Sequence, residues 1–271
     1  MASTLGRALS KTGRAGEPLP VVFPKWAEAG IIPRRGQVTM IAAAPGVGKS
    51  ILAQKLSFEM KEPTLYISAD SDEFTMGLRA ASLATGHMQT IIEDAMSDEY
   101  GNNYYIQIIN RQDWIRYVFE PSPTVEDIVA EVEAFVALWG NPPNLIVVDN
   151  LINVDALSND EWTALRDTTK DLHALARDTG AGIILLHHVT GEYEGGQTCP
   201  PRKALMGKVS QLPELILTLC RSGERMGVAC VKNRLGPNDP TARYPLWLVS
   251  HPENMMITDS LEVLAKTWEA A

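Results

Sequence analysis

Short apolar runs alternate with longer amphipathic stretches through most of this chain. Val38–Ile41, Thr64–Ser68, Leu145–Val148 and Ile183–Leu186 are runs of four or five mostly apolar residues bounded by turn signals, and they read as buried strands. Between them, Ser50–Met60, Asp72–Thr85, Val125–Trp139 and Glu161–Thr179 carry apolar residues at helical spacing. Thr124 with Asp127 three residues on forms a capping pair for the third of these. Its Ile128, Val132, Phe135, Val136 and Trp139 fall on one face, and Asn141-Pro142-Pro143 ends it. The stretch from Thr90 to Asp113 is less periodic; it predicts a helix near Ile91–Met96 and an extended segment at Tyr104–Ile109. Three further runs, Leu215–Leu219, Val228–Val231 and Leu246–Val249, follow one another without helices.

Strands alternating with helices imply an α/β fold, a mostly parallel sheet with helices on both faces. The helix-free run at the end implies antiparallel strands on the C-terminal side. Residues 1–20, rich in Ser, Gly, Arg and Lys, read as a flexible arm with a short helical turn at Leu5–Leu9. Residues 21–271 then form one domain. No repeat is apparent.

Composition narrows the partners. Lys plus Arg number 24 against 33 Asp plus Glu, a net charge of −9, which argues against a surface coated throughout by nucleic acid but leaves room for a local basic loop. No apolar run is long enough for a membrane span or a signal peptide, so the expected location is cytoplasmic, with no membrane partner. Cys199, Cys220 and Cys230 lack metal-type spacing and read as reduced thiols.

The densest chemistry lies at Val38–Ser50, VTMIAAAPGVGKS. A buried strand runs into small residues and then a helix start, the setting of a phosphate-binding loop. Ala44, Pro45, Gly46, Val47, Gly48, Lys49, Ser50 and Ile51 would wrap a nucleoside triphosphate, ATP, with backbone N–H groups and a helix N-terminus. Lys49 would meet the β- and γ-phosphates and Ser50 would hold Mg²⁺. The first glycine of the usual pattern is Ala43 here, tolerable if that residue keeps a negative φ.

Asp149, closing an apolar strand about one hundred residues later, is the second candidate Mg²⁺ group. Asp70, just past the second strand, is a candidate base for the attacking water, with Asp72 and Glu73 competing. His187 and His188 end another strand. A neutral imidazole there suits a γ-phosphate sensor, and a metal-ligand role is the alternative. The Gly-rich loop from Val189 to Leu205 ends in Arg202 and Lys203, with Lys208 beyond; it is either a nucleic-acid backbone contact or an ordinary surface loop. Lys232 and Arg234 alternate on an extended segment and so point the same way, suited to phosphate binding or to a solvated edge strand.

In their order these motifs resemble the RecA-like ATPase core of hexameric DnaB-type replicative helicases, especially small stand-alone phage or plasmid relatives. The phosphate loop matches Ala43–Ser50, and the serine–x–glutamate after the second strand matches Ser68-Ala69-Asp70 with Asp for Glu. Asp149 and His188 match the metal aspartate and the sensor. Gly207–Gln211 echoes the helix before the next strand, and Lys232–Pro237 is similar to the family's Lys-x-Arg-Asn-Gly-Pro segment.

The resemblance implies a RecA-like P-loop NTPase core and an ATPase stimulated by single-stranded or forked DNA. It also implies a homo-oligomer, a hexameric ring in which Lys232 and Arg234 serve the neighbouring subunit's nucleotide. A recombinase filament, a DNA-processing nuclease or its accessory, and a regulatory ring are the competing readings.

Overall fold

A computed structural model describes residues 16–156, 160–189 and 191–259, with the side chains of 206–208 excepted. Leu5–Leu9 and the rest of 1–15 lie outside the described residues. One nine-stranded sheet organises the rest, in the order β3-β2-β4-β5-β1-β6-β7-β8-β9. Its strands are β1 (Val38–Ala43), β2 (Thr64–Ser68), β3 (Ile115–Val118), β4 (Leu145–Asp149), β5 (Gly182–His188), β6 (Leu215–Ser222), β7 (Arg225–Asn233), β8 (Leu246–His251) and β9 (Met256–Thr258). The strands from β3 across to β6 are mutually parallel, and β7, β8 and β9 run antiparallel in turn.

Among the described residues, α-helices accompany the sheet from its start. A short α1 (Pro24–Glu28) precedes it. The others are α2 (Lys49–Met60), α3 (Glu73–Thr85), α4 (Gln89–Ala95), α5 (Glu99–Asn110), α6 (Val125–Trp139) and α7 (Glu161–Thr179), and Leu151–Asn153 is a 3₁₀ turn.

Every residue of β1, β2 and β4 is buried, so these strands are held by apolar packing on both faces. The expected capping box is present on α6: the Thr124 side chain accepts from Asp127 N–H, and the Asp127 carboxylate accepts from Thr124 N–H. Fully buried Phe135 anchors that helix to the core, a side chain whose burial contributes about 1.5–3 kcal/mol.

Three expectations need correction. Tyr104–Ile109 is not extended but lies within α5. Asp98 caps that helix by accepting from Gly101 N–H, and Tyr105 and Ile109, four residues apart, turn together toward Ala81 and Ile92. The β-prone Tyr and Ile residues concentrated there imitate a strand. Residues 16–20 are not part of an arm: Leu19 is buried, and its N–H donates to Pro33 O. Finally, Cys199 and Cys220 are joined as a disulfide, while Cys230 is free. Their separation of 21 residues conceals that the loop after β5 returns to lie against β6.

Candidate active site

The parallel strands end at one edge of the sheet, and the candidate groups converge there from β1, β2, β4 and β5. Gly46 and Gly48 take φ of 75° and 113°, so the loop curls where a side chain would be strained. Space is limited as well, since a Cβ on Gly48 would lie 2.9 Å from Met226 Cε. Ala43 belongs to β1 and keeps a negative φ, so the missing glycine costs the loop nothing.

Lys49 opens α2 and is buried. Its ammonium donates to Ala43 O and Ala44 O, both at 3.1 Å, and to His188 Nδ1 at 3.2 Å. Burial lowers its pKa to about 8 despite the attraction of Asp149 and Asp70. Asp149 at the end of β4 is buried, which pushes its carboxyl up. The Ser50 and Tyr66 hydroxyls both donate to that carboxylate, Tyr66 to Oδ2 at 3.1 Å. Two oxygen ligands meeting under a phosphate loop suit a hard divalent cation, so Ser50 and Asp149 fit Mg²⁺.

Asp70 is exposed just beyond β2 and close enough to act electrostatically on Lys49, Asp149 and His188. Its competitor Asp72 is committed elsewhere: the carboxylate caps α3, accepting from Thr75 N–H at 2.9 Å. Glu73 lies in the first turn of that helix and is exposed. The His188 ring is held between Lys49 and the Asn150 side-chain amide, 3.0 Å from Nε2. Lys49 therefore links the loop that would hold phosphate to the ring at the end of β5. His187 stands outside this network. It is buried with neither ring nitrogen bonded, and burial lowers its pKa to about 4.

The loop after His188 closes over the phosphate loop. A Cβ on Gly196 would meet Val47 Cγ2 at 2.6 Å, and Gly196 O accepts from Arg221 N–H. Farther on, Arg202 and Lys203 wall a cleft of about 530 Å³ with Tyr193, Ser210, Thr241 and Arg243. Arg202 N–H donates to Pro240 O and ties its walls together. The Lys208 side chain lies outside the described residues.

Lys232 and Arg234 sit apart from the phosphate loop. Asn233 pairs with Leu215, which pairs with Thr39 near the start of β1. Their end of β7 is thus at the amino edge of β1, roughly 15–20 Å from the phosphate loop at about 3.3 Å per residue and about 4.8 Å per strand. Lys232 Nζ donates to Ser210 O at 2.8 Å and Gln211 O at 2.7 Å, and Arg234 pairs with Glu214 at 3.0 Å.

This arrangement has known relatives. The family model described as AAA domain matches residues 10–192. The chain belongs to the AAA domain family. Among similar proteins is the gene 65 protein of Mycobacterium phage L5, 35% identical over 264 residues, 91% of this chain and 95% of that one. Solved structures also share the fold, two of which illustrate it. One is an ATPase domain, with a TM-score of 0.79 at 17% identity, covering 96% of this chain and all of that one. The other is a DnaB-like replicative helicase described with its primase interactions, with a TM-score of 0.77 at 19% identity, covering 93% of this chain. This chain spans 66% of the length of that helicase. The fold is therefore the RecA-like core of DnaB-like ATPase domains, and the ATPase class follows from the AAA domain family.

Several residues at this site carry little or no functional signal in the sequence. Tyr66 reads as one more apolar strand residue, and only the fold reveals its hydroxyl beside Asp149. Arg79 on α3 acts electrostatically on Asp149 and Tyr66, with no motif to mark it. Asn150 directly follows Asp149, a polar residue that the strand pattern alone could have flagged. Arg243 stands more than thirty positions from the loop it joins.

Proposed function

We propose that this chain is an ATP-hydrolysing ring motor of the DnaB-type class, a hexamer that moves on single-stranded or forked DNA in the cytoplasm, encoded by a phage or plasmid. Residues 21–271 would form its motor domain, with residues 16–20 packed against it. The observation that carries this reading is the division of the cations. Lys49 lies among acids at the carboxyl edge of the sheet, while Lys232 and Arg234 stand at the amino edge, beyond reach of their own phosphate loop. A γ-phosphate flanked by both sets needs two subunits.

Within one subunit, residues Ala44 to Ile51 would bind the triphosphate and Lys49 would orient its β- and γ-phosphates. Ser50 and Asp149 would hold Mg²⁺, which when bound neutralises charge that develops in phosphoryl transfer. Asp70 would orient a water and take its proton. His188, freed when Lys49 turns to phosphate, would report occupancy to the loop packed on Val47. That loop leads to the cleft of Arg202, Lys203 and Arg243, with Lys208 following in the chain, where a phosphodiester backbone fits.

The test is ATP turnover with and without single-stranded DNA, with assembly mass recorded with ATP and with ADP. DNA-stimulated turnover in a closed particle of fixed mass supports the motor. Open-ended growth of the particle would favour a recombinase filament, cutting of a forked substrate a nuclease, and turnover indifferent to DNA a regulatory ring.

A further inference from the structure

Glu214 immediately precedes β6 and is only 9% exposed. A buried carboxylate is costly unless donors meet its oxygens, and this one is met from three elements. Oε2 accepts from the Val38 N–H at the start of β1, at 3.0 Å. Oε1 accepts from Arg234 Nη1 at 3.0 Å and lies 2.9 Å from His173 Nε2 on α7. The backbone repeats the connection: Arg234 N–H donates to Glu214 O, and Glu214 N–H donates to Val38 O, each at 3.0 Å.

Arg234 uses only part of its donor set here. Nη1 goes to Glu214 and Nη2 to Leu212 O at 3.3 Å, yet the side chain is 49% exposed. A guanidinium is a planar fork of five N–H donors. Anchoring Nη1 to a carboxylate and Nη2 to a carbonyl fixes its plane and leaves three donors, the Nε–H edge among them, free for a second anion. A flexible side chain at the end of a strand would otherwise sample many rotamers, and each productive encounter would have to select one. The β1–β6 junction itself does not require this arrangement, because Val38 occupies a different carboxylate oxygen from Arg234.

We propose that Glu214 is a positioning residue for Arg234, presenting the free edge of the guanidinium to the nucleotide of the adjacent subunit. The inference rests on the shared-site reading above. Because Glu214 also holds the base of β1, whose far end carries the phosphate loop, one side chain touches the strand serving a subunit's own nucleotide and the arginine serving its neighbour's.

A double-mutant cycle on the assembled full-length protein tests this. ATP turnover, KM for ATP and thermal midpoint are measured for the unchanged protein, Glu214→Gln, Arg234→Ala and the double variant. Glu214→Gln is expected to lower kcat about tenfold with KM within about twofold, and to cause no further loss in the Arg234→Ala background. Equal proportional losses in both backgrounds would mean that Glu214 serves only the fold. A rise in turnover would mean that it restrains Arg234. Either result overturns the proposal.

If Arg234→Ala leaves turnover unchanged, the shared-site reading fails first and Glu214 has nothing to position. If Arg234→Ala is impaired while Glu214→Gln is not, the positioning role alone fails. Glu214→Asp, which keeps the charge but withdraws it by one methylene, runs through the same cycle should the Gln variant not fold. A partial kcat loss confined to the background that retains Arg234 supports positioning, and a loss independent of Arg234 overturns it.

Discussion

The Lys49 ammonium has three N–H donors, and three acceptors meet them. A triphosphate bound as proposed would have to replace those bonds, and it would need the charged form to do so. With its pKa lowered to about 8, Lys49 holds its proton below that pH and loses it above. Binding at higher pH then requires proton uptake, and ATP affinity should fall by up to about tenfold per pH unit above about pH 8. Calorimetric titrations between about pH 7 and 9.5 check this, and affinity independent of pH would contradict it. Lys49→Ala should weaken binding and lower turnover by about a hundredfold or more. Asp70→Asn should keep nucleotide affinity and lower turnover at least about tenfold, read in single-turnover assays. Unchanged turnover would return the role to Glu73 or another acid.

At the scale of elements, β5 carries two histidines with opposite surroundings. His187 is buried and unpaired, with a pKa lowered to about 4 from an ordinary 6.5. Between those two values the unfolded chain binds a proton that the folded chain refuses, so stability falls as pH drops through that window. The loss should reach about 2–3 kcal/mol by about pH 4.5. Urea unfolding at about pH 7 and about pH 4.5 measures it, and His187→Leu should flatten the difference. The loop beyond β5 offers a second check. Replacing Arg202, Lys203 and Arg243 by Ala should weaken single-stranded DNA binding and reduce the slope of log affinity against log salt by roughly 0.7 for each phosphate no longer neutralised. An unaltered slope would place the DNA elsewhere.

The elements differ in how far they can be read from the chain. β1, β2, β4 and β5 are legible because each is an almost fully buried apolar run between clear helices. α5 is not, because β-prone Tyr and Ile crowd the same stretch in which Tyr105 and Ile109 make a helical pair. The phosphate loop is legible because its chemistry is local. Tyr66 meets Asp149 across 83 positions and Glu214 meets Arg234 across 20, while Arg243 joins the cleft of Arg202 from a separate loop with no motif. Only the register of the sheet brings such groups together.

For the whole molecule, a net charge of −9 sits beside a cationic strip formed by Arg202, Lys203, Lys232, Arg234 and Arg243. Lys232 shows the crowding: burial, then Arg234, lower its pKa to about 8, with Arg202 adding to the effect and Glu214 opposing it. Under the proposed shared site, cations gathered away from their own phosphate loop would meet another copy's anion.

The most direct test mixes two inactive proteins. Lys49→Ala subunits keep Arg234 but lack a working phosphate loop; Arg234→Ala subunits keep the loop but lack the cation. An arginine supplied in trans contributes roughly 10³–10⁵ in rate in phosphoryl transfer, so even a minority of complete interfaces is measurable. With an excess of Lys49→Ala subunits co-assembled with Arg234→Ala subunits, ATP turnover should reappear well above that of either protein alone. No recovery in particles shown to contain both subunits would mean that Arg234 serves only its own chain, and the shared active site would be wrong.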